Sequence, residues 1–145
     1  MKKIAFIISL ILFYSCTTST SEEDANPDII NPEDRVIKME FNTTELNSDE
    51  IRVSYFDYLT NTYPVVVHQF LYDSSSQPIP FVMVFENYNF RYINGEVYRN
   101  NPNIEEISTK IYVNDELVIE ETVKGENGEY AEFKFNYDIV KMSSI

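Results

Sequence analysis

The chain has 145 residues, with 24 acidic and 11 basic side chains and a formal charge of −13. So acidic a chain repels phosphate backbones, which argues against nucleic acid as a partner. Its one cysteine cannot form an internal disulfide, and one histidine with one cysteine cannot make a zinc site, so we expect no metal and no cofactor.

The first fifteen residues have the pattern of an export signal. Lys2 and Lys3 precede an apolar run from Ile4 to Tyr14. This run of about eleven residues has the length of a secretory signal, whereas a membrane-spanning helix needs about twenty apolar residues. Residues 1–15 are therefore predicted to be a cleaved signal peptide.

The end of this run resembles the lipobox of bacterial lipoproteins. Ser15 directly precedes Cys16, the only cysteine, although Phe13 and Tyr14 depart from the usual leucine and small residue. The resemblance implies cleavage before Cys16 and acyl chains such as palmitate on its mature N-terminus, which would hold the protein to a membrane. An ordinary secretory signal cut near Cys16 and an uncleaved anchor are the alternatives.

Residues 16–34 are predicted to be an acidic flexible tether. Six acids and no bases lie between Glu22 and Asp34, and Pro27 and Pro32 interrupt any helix. The acidic triplet that begins at Glu22 resembles the export signal of surface lipoproteins in Bacteroidota. That resemblance implies a domain on the outer membrane that faces outward, and a plain solvated spacer is the alternative.

The hydrophobic pattern of residues 35–145 predicts an all-β domain. Apolar residues alternate with polar ones over residues 37–41, 51–55 and 131–139, which is typical of strands with one face in a core. The number of such runs and their short spacing predict an immunoglobulin-like antiparallel β-sandwich of about seven or eight strands. Two runs, residues 65–67 and 81–85, are apolar at consecutive positions, which predicts central strands buried on both faces.

Three dipeptides are predicted to form turns. Asn94-Gly95 and Asn127-Gly128 each accept the positive φ angles of a tight type I′ turn, so each is expected to close a hairpin between its flanking strands. Asn114-Asp115 predicts a third turn.

The segment around this third turn resembles a known family. The run from Ile111 to Val118, with Glu121, Gly125 and Ala131 after it, resembles the last strands of MmpS-like domains over about thirty residues. These are small envelope proteins that accompany membrane transporters. The resemblance implies a β-sandwich without catalytic residues.

Residues with catalytic potential are few. His68 is the only histidine and lies in a strand-like run without a nucleophile motif, so it is interpreted as a strand histidine rather than a base. Asp73 and Ser74–Ser76 have the composition of a turn. We therefore expect no catalytic residue and no enzyme.

Three carboxylate pairs could in principle bind calcium or hydrolyse a glycosidic bond. They are Asp49-Glu50, Glu105-Glu106 and Glu120-Glu121. Adjacent residues of a strand point to opposite faces, so each pair would separate its oxygens rather than converge them. Solvated charges are the favoured interpretation.

The best candidate binding surface is an aromatic region over residues 88–103, with many asparagines. Tyr88, Tyr92, Tyr98 and Arg99 are its candidate ligand-binding residues, because aromatic faces stack on sugar rings and guanidinium groups bind hydroxyls. The simpler alternative is that part of this set packs in the core.

Two functional hypotheses follow from these features. The first is a lipid-anchored lipoprotein of the cell envelope with a non-catalytic binding or accessory module, attached to the membrane through Cys16 and acting on an envelope protein. The second is a surface lipoprotein that binds a glycan through the aromatic region. An enzyme would need a pocket with convergent carboxylates, which no spacing suggests.

Overall fold

The fold is described from a computed structural model, which covers residues 35–43, 50–100, 105–126 and 128–145. The predicted signal peptide, Cys16 and the tether lie outside these residues. The strands within the described ranges are β1 (Arg35–Asn42), β2 (Glu50–Tyr55), β3 (Val65–Gln69), β4 (Leu71–Tyr72), β5 (Pro78–Ile79), β6 (Phe81–Tyr88), β7 (Tyr92–Arg99), β8 (Glu106–Val113), β9 (Glu116–Lys124), β10 (Glu132–Asp138) and β11 (Ser143–Ser144).

The strands form an antiparallel sandwich, which confirms the predicted fold class. One sheet has the order β6-β1-β8-β9 and the other the order β11-β10-β7-β2-β3, while β4 and β5 form a separate two-stranded ribbon. A single buried cluster takes residues from both sheets, including Ile37 and Ile111 from the first and Val53 and Val97 from the second. Apart from β4, β5 and β11, each of the eight remaining strands has at least five residues.

Strand β1 shows why alternation produces this sandwich. Ile37, Met39 and Phe41 point into the core and are at most 2% exposed. Lys38 and Glu40 point outward, where their charged ends lie 3.2 Å apart. Because side chains alternate between the faces of a strand, this local pattern is enough to orient β1.

Strand β10 also alternates as predicted, with one exception. Phe135 and Tyr137 are buried and Glu132 and Lys134 are exposed, but the predicted outward residue Asp138 is fully buried. Its carboxylate accepts hydrogen bonds from the Arg91 guanidinium, with Nη2 and Oδ2 only 2.7 Å apart. The Arg91 guanidinium lowers the pKa of Asp138 to about 2. A buried charge is tolerated here because it is paired.

The prediction that residues 65–67 and 81–85 form central strands is wrong. Strands β3 and β6 are edge strands, each hydrogen-bonded to one neighbour among the described residues. Their outward valines, Val65, Val67, Val82 and Val84, are between 44% and 54% exposed. A run of apolar residues indicates that a segment forms a strand. Its position in the sheet depends on pairing with segments that are distant in the sequence.

The predicted hairpin at Asn94-Gly95 is also wrong. Both residues lie inside β7, and neither has a positive φ. Gly95 pairs with Tyr55 on one side and with Phe135 on the other. A Cβ on Gly95 would lie within 3.0 Å of both the Ser54 carbonyl oxygen and the Phe135 ring. Glycine is required here for close packing, not for a turn.

The other two turn predictions have opposite outcomes. Asn114 and Asp115 have φ angles of 50° and 66° and close the β8–β9 hairpin, which confirms that turn. The predicted hairpin at Asn127-Gly128 is wrong, because β9 and β10 belong to different sheets. Gly128 has a φ of 92°, and Asn127 lies outside the described residues.

Candidate functional site

A cleft lined by aromatic side chains opens at one end of the sandwich. The loop after β2 forms one wall, and the end of β6 with the start of β7 forms the other. Its volume is about 210 Å³. We call it the aromatic cleft, after the six rings that line it: Tyr55, Phe56, Tyr58, Phe85, Tyr88 and Phe90.

Ring contacts join the two walls of the aromatic cleft. Tyr58 stacks on Phe90, with centroids 4.7 Å apart and planes at 17°. Phe56 meets Tyr58 at 88°, and Tyr88 meets Phe90 at 77°. Stacked and edge-to-face arrangements are those that aromatic quadrupoles favour. The rings therefore support each other's positions around the space between them.

The loop wall is held by a local turn centred on Asp57. The Asp57 carboxylate accepts hydrogen bonds from the Leu59 amide at 2.9 Å and from the Thr60 hydroxyl at 2.9 Å. These hydrogen bonds, the Thr60 hydroxyl first, lower the pKa of Asp57. Asn61 adopts a φ of 53°, which asparagine tolerates better than most residues. The turn leaves the Leu59 side chain 85% exposed at the mouth of the cleft.

The opposite wall is held by Tyr88. Its hydroxyl donates a hydrogen bond to the Tyr92 carbonyl oxygen, across the turn between β6 and β7. Burial raises the pKa of the Tyr88 hydroxyl, and the nearby Asp57 charge adds to this effect. Asn87, one residue earlier, has a φ of 55° and also lines the cleft. This wall therefore combines the Tyr88 ring, which its hydrogen bond holds in place, with Asn87, whose backbone is in the left-handed conformation.

Asn94 lies between the two walls. Its Nδ2 donates a 2.8 Å hydrogen bond to the Tyr58 hydroxyl, while its buried Oδ1 has no hydrogen-bond partner in the described part of the chain. The Oδ1 atom is shielded from solvent, so a ligand in the cleft could reach it only if the Asn94 side chain moved.

The charge of the aromatic cleft is negative. Asp57 and Glu86 are among its lining residues, and no lysine, arginine or histidine of the described ranges lines it. The net charge of the whole chain has the same sign. The cleft is therefore apolar on its walls and acidic at its rim.

The structure does not bring the four predicted ligand-binding residues together. Tyr88 lines the aromatic cleft. Tyr92 and Tyr98 are six residues apart on β7, about 20 Å along an extended strand. Tyr98 lies on the outer face of its sheet, where its ring centroid is 5.9 Å from that of Tyr130. Arg99 points into the protein and is 0% exposed.

Arg99 joins three segments from inside the sandwich. Its Nη2 lies 2.8 Å from the Glu105 carboxylate. Its Nη1 donates 3.0 Å hydrogen bonds to the Thr43 hydroxyl and the Glu106 carbonyl oxygen. The guanidinium also lies 5.3 Å from the centre of the Phe70 ring. These contacts account for an arginine in the core.

Structural contacts account for two other candidates, His68 and Asp73. His68 stacks on Phe81 with centroids 4.1 Å apart, and burial lowers its pKa. Asp73 accepts hydrogen bonds from the amides of Ser75 and Gln77, which confirms the predicted turn at residues 73–76.

The carboxylate pairs likewise have neighbours of opposite charge. Glu106 lies 3.4 Å from Lys124, and Glu120 lies 2.9 Å from Lys110. Asp49 lies outside the described residues. Within the ranges that the structure covers, no group of three or more histidine, cysteine, aspartate or glutamate residues could hold a metal ion.

Sequence reasoning missed the loop wall of the cleft. The signal was present as four aromatic residues within the short segment 55–63, directly after an alternating strand. These aromatic residues show no strand or helix periodicity and are far in sequence from residues 85–94. The cleft is therefore recognised only from the folded structure.

Comparison of the chain with known protein families and with curated proteins finds no match. In the described ranges, no helix is long and apolar enough to cross a membrane.

Proposed function

We propose that this protein is a lipid-anchored lipoprotein of the cell envelope whose β-sandwich is a non-catalytic binding or accessory module. The observation that carries the binding role is the aromatic cleft, an apolar concave site with a few polar groups at its rim. Sites of this composition are typical of ligand binding. The carboxylates of Asp57 and Glu86 define the charge of the site.

The size of the cleft limits what can enter it. Sites for drug-sized ligands usually have about 300–1,000 Å³. At about 210 Å³ the aromatic cleft accepts one ring or one side chain rather than a whole ligand of that size. This favours recognition of a group that projects from a larger envelope partner.

The anchor is proposed from Cys16 and the leader before it. Metabolic labelling with an alkyne-bearing fatty acid should label the wild-type protein, and fractionation should place it with the outer membrane. Cys16→Ser should abolish both the label and the membrane association. Equal labelling of the two proteins would contradict lipidation at this residue.

A carbohydrate ligand is the second candidate. It is favoured by the combination of aromatic rings with the amides of Asn87 and Asn94 in one cleft. Rings stack on the apolar faces of sugars while amides bond their hydroxyls. Tyr88, Phe90 and Asn94 from the predicted aromatic region contribute to this cleft, together with the loop after β2.

Binding is tested with the full chain, purified in a non-ionic detergent, against soluble envelope glycans and purified envelope proteins. Tyr58→Ala removes a ring of the cleft, and Tyr130→Ala removes an exposed ring outside it. We expect binding to be lost in the first variant and kept in the second, with circular dichroism showing that both are folded. Binding that is unaffected by Tyr58→Ala would exclude the cleft as the site.

A further inference from the structure

Six aromatic rings line the aromatic cleft from both of its walls. Tyr58 and Phe90 stack with centroids 4.7 Å apart, so each covers one face of the other. Phe56 meets Tyr58 at 88°, and Tyr55 meets Phe85 at 67°. The exposed face of an aromatic ring is electronegative, so a cleft lined by rings attracts a cation.

The acidic rim adds to this attraction. Asp57 accepts its local hydrogen bonds through both carboxylate oxygens, which favours its ionised form, and the exposed Glu86 lines the same cleft. Among the described residues, no basic side chain lines the cleft to neutralise these two charges. A neutral sugar can donate hydroxyl hydrogen bonds to these carboxylates, and a cation gains their Coulombic attraction in addition.

The two features select one chemical group. An ammonium group carries a positive charge and three hydrogen-bond donors, and it has no acceptor. It therefore matches the acidic rim and the ring faces at once.

We infer that the aromatic cleft binds an alkylammonium group, such as the end of a lysine side chain on a partner protein or a small primary amine. This inference rests on the proposed role of the cleft as the binding site. The alkyl part of the ligand contacts the aromatic walls, and the ammonium end lies near Asp57 and Glu86.

The test compares probes that differ in charge or in the groups around it. Nα-acetyl-lysine N-methylamide and n-butylammonium are cationic at neutral pH, and Nα-acetyl-norleucine N-methylamide is a neutral analogue of the first. Equilibrium dialysis with the full chain in non-ionic detergent should show both cations binding. We expect the norleucine probe to bind about twofold to thirtyfold more weakly than the lysine probe. Tighter binding of the lysine probe than of n-butylammonium indicates a peptide source, and the reverse indicates a free amine.

Two variants separate the rim charge from net charge. Glu86→Gln removes a charge at the cleft, and Glu121→Gln removes an exposed charge on β9, outside it. Only Glu86→Gln should weaken binding of the lysine probe, and neither should change the norleucine probe. Higher salt should reduce the difference between the two probes.

Two outcomes would overturn the inference in distinguishable ways. If the norleucine probe binds as tightly as the lysine probe, or a glycan binds through Tyr58 while neither cation does, the cleft is a binding site but not for ammonium. If no probe binds and Tyr58→Ala also leaves all glycan and protein binding unchanged, both the ammonium inference and the proposed role of the cleft are wrong.

Discussion

Replacing Gly95 with alanine tests the tightest packing in the sandwich. The added Cβ would lie within 3.0 Å of the Ser54 carbonyl oxygen and of the Phe135 ring. The ring could turn away, but the carbonyl oxygen belongs to the neighbouring strand β2 and can move only with its backbone. We therefore expect β2 and β7 to be pushed apart locally.

The magnitude follows from two opposing effects. Overpacking a tight core usually destabilises a protein by about 1–3 kcal/mol. Alanine also loses less backbone entropy than glycine on folding, which returns about 0.4–1 kcal/mol. The difference in the free energy of unfolding for Gly95→Ala is therefore a loss of about 0–2.6 kcal/mol, and the approach within 3.0 Å of a backbone oxygen places it in the upper half of that range.

Urea denaturation followed by circular dichroism measures this loss. Gly128→Ala is the matched control, because Gly128 has open space around it and a φ of 92°. Its loss should come from backbone strain alone and be about 1–2 kcal/mol. Phe135→Leu replaces the ring that the new methyl group meets with a smaller side chain, so Gly95→Ala should destabilise this variant less than the wild type if the ring resists the methyl group. Additive effects would show that the Ser54 carbonyl oxygen alone opposes the methyl group. A Gly95→Ala variant as stable as the wild type would refute the packing argument.

Three further predictions concern buried polar groups and a turn. Arg99→Ala should destabilise the protein by about 3–5 kcal/mol in urea denaturation, because it leaves the Glu105 carboxylate without its 2.8 Å partner, and a loss below about 1 kcal/mol would contradict this. The pKa of Asp138 is about 2 in the folded protein and lies below its ordinary value of 3.8. Its contribution to stability is therefore present above about pH 4 and is lost as the pH falls toward 2, so Asp138→Asn should flatten stability measured between pH 2 and 5. Asn114→Ala should cost about 1–2 kcal/mol in thermal denaturation, because it strains a φ of 50° and removes the acceptor of the Val36 amide, and an unchanged melting temperature would count against that account.

The sequence by itself determined the local features of this protein. Alternation oriented the strands at residues 37–41 and 131–137, because side chains on a strand point alternately to its two faces. The turn at Asn114-Asp115 was also predictable, since tolerance of positive φ is a property of the residues themselves. The all-β class follows from the number of such segments.

Tertiary structure decided everything that depends on distant partners. Strands β3 and β6 lie at edges because of which segments pair with them, and Gly95 lies inside β7 because that strand pairs with β2 and β10 on its two sides. Asp138 is buried because Arg91, 47 positions away, neutralises it. The aromatic cleft has the same origin, because its two walls are separate in the chain. Contacts between residues far apart in sequence arise only when the two sheets pack, so no local pattern contains them.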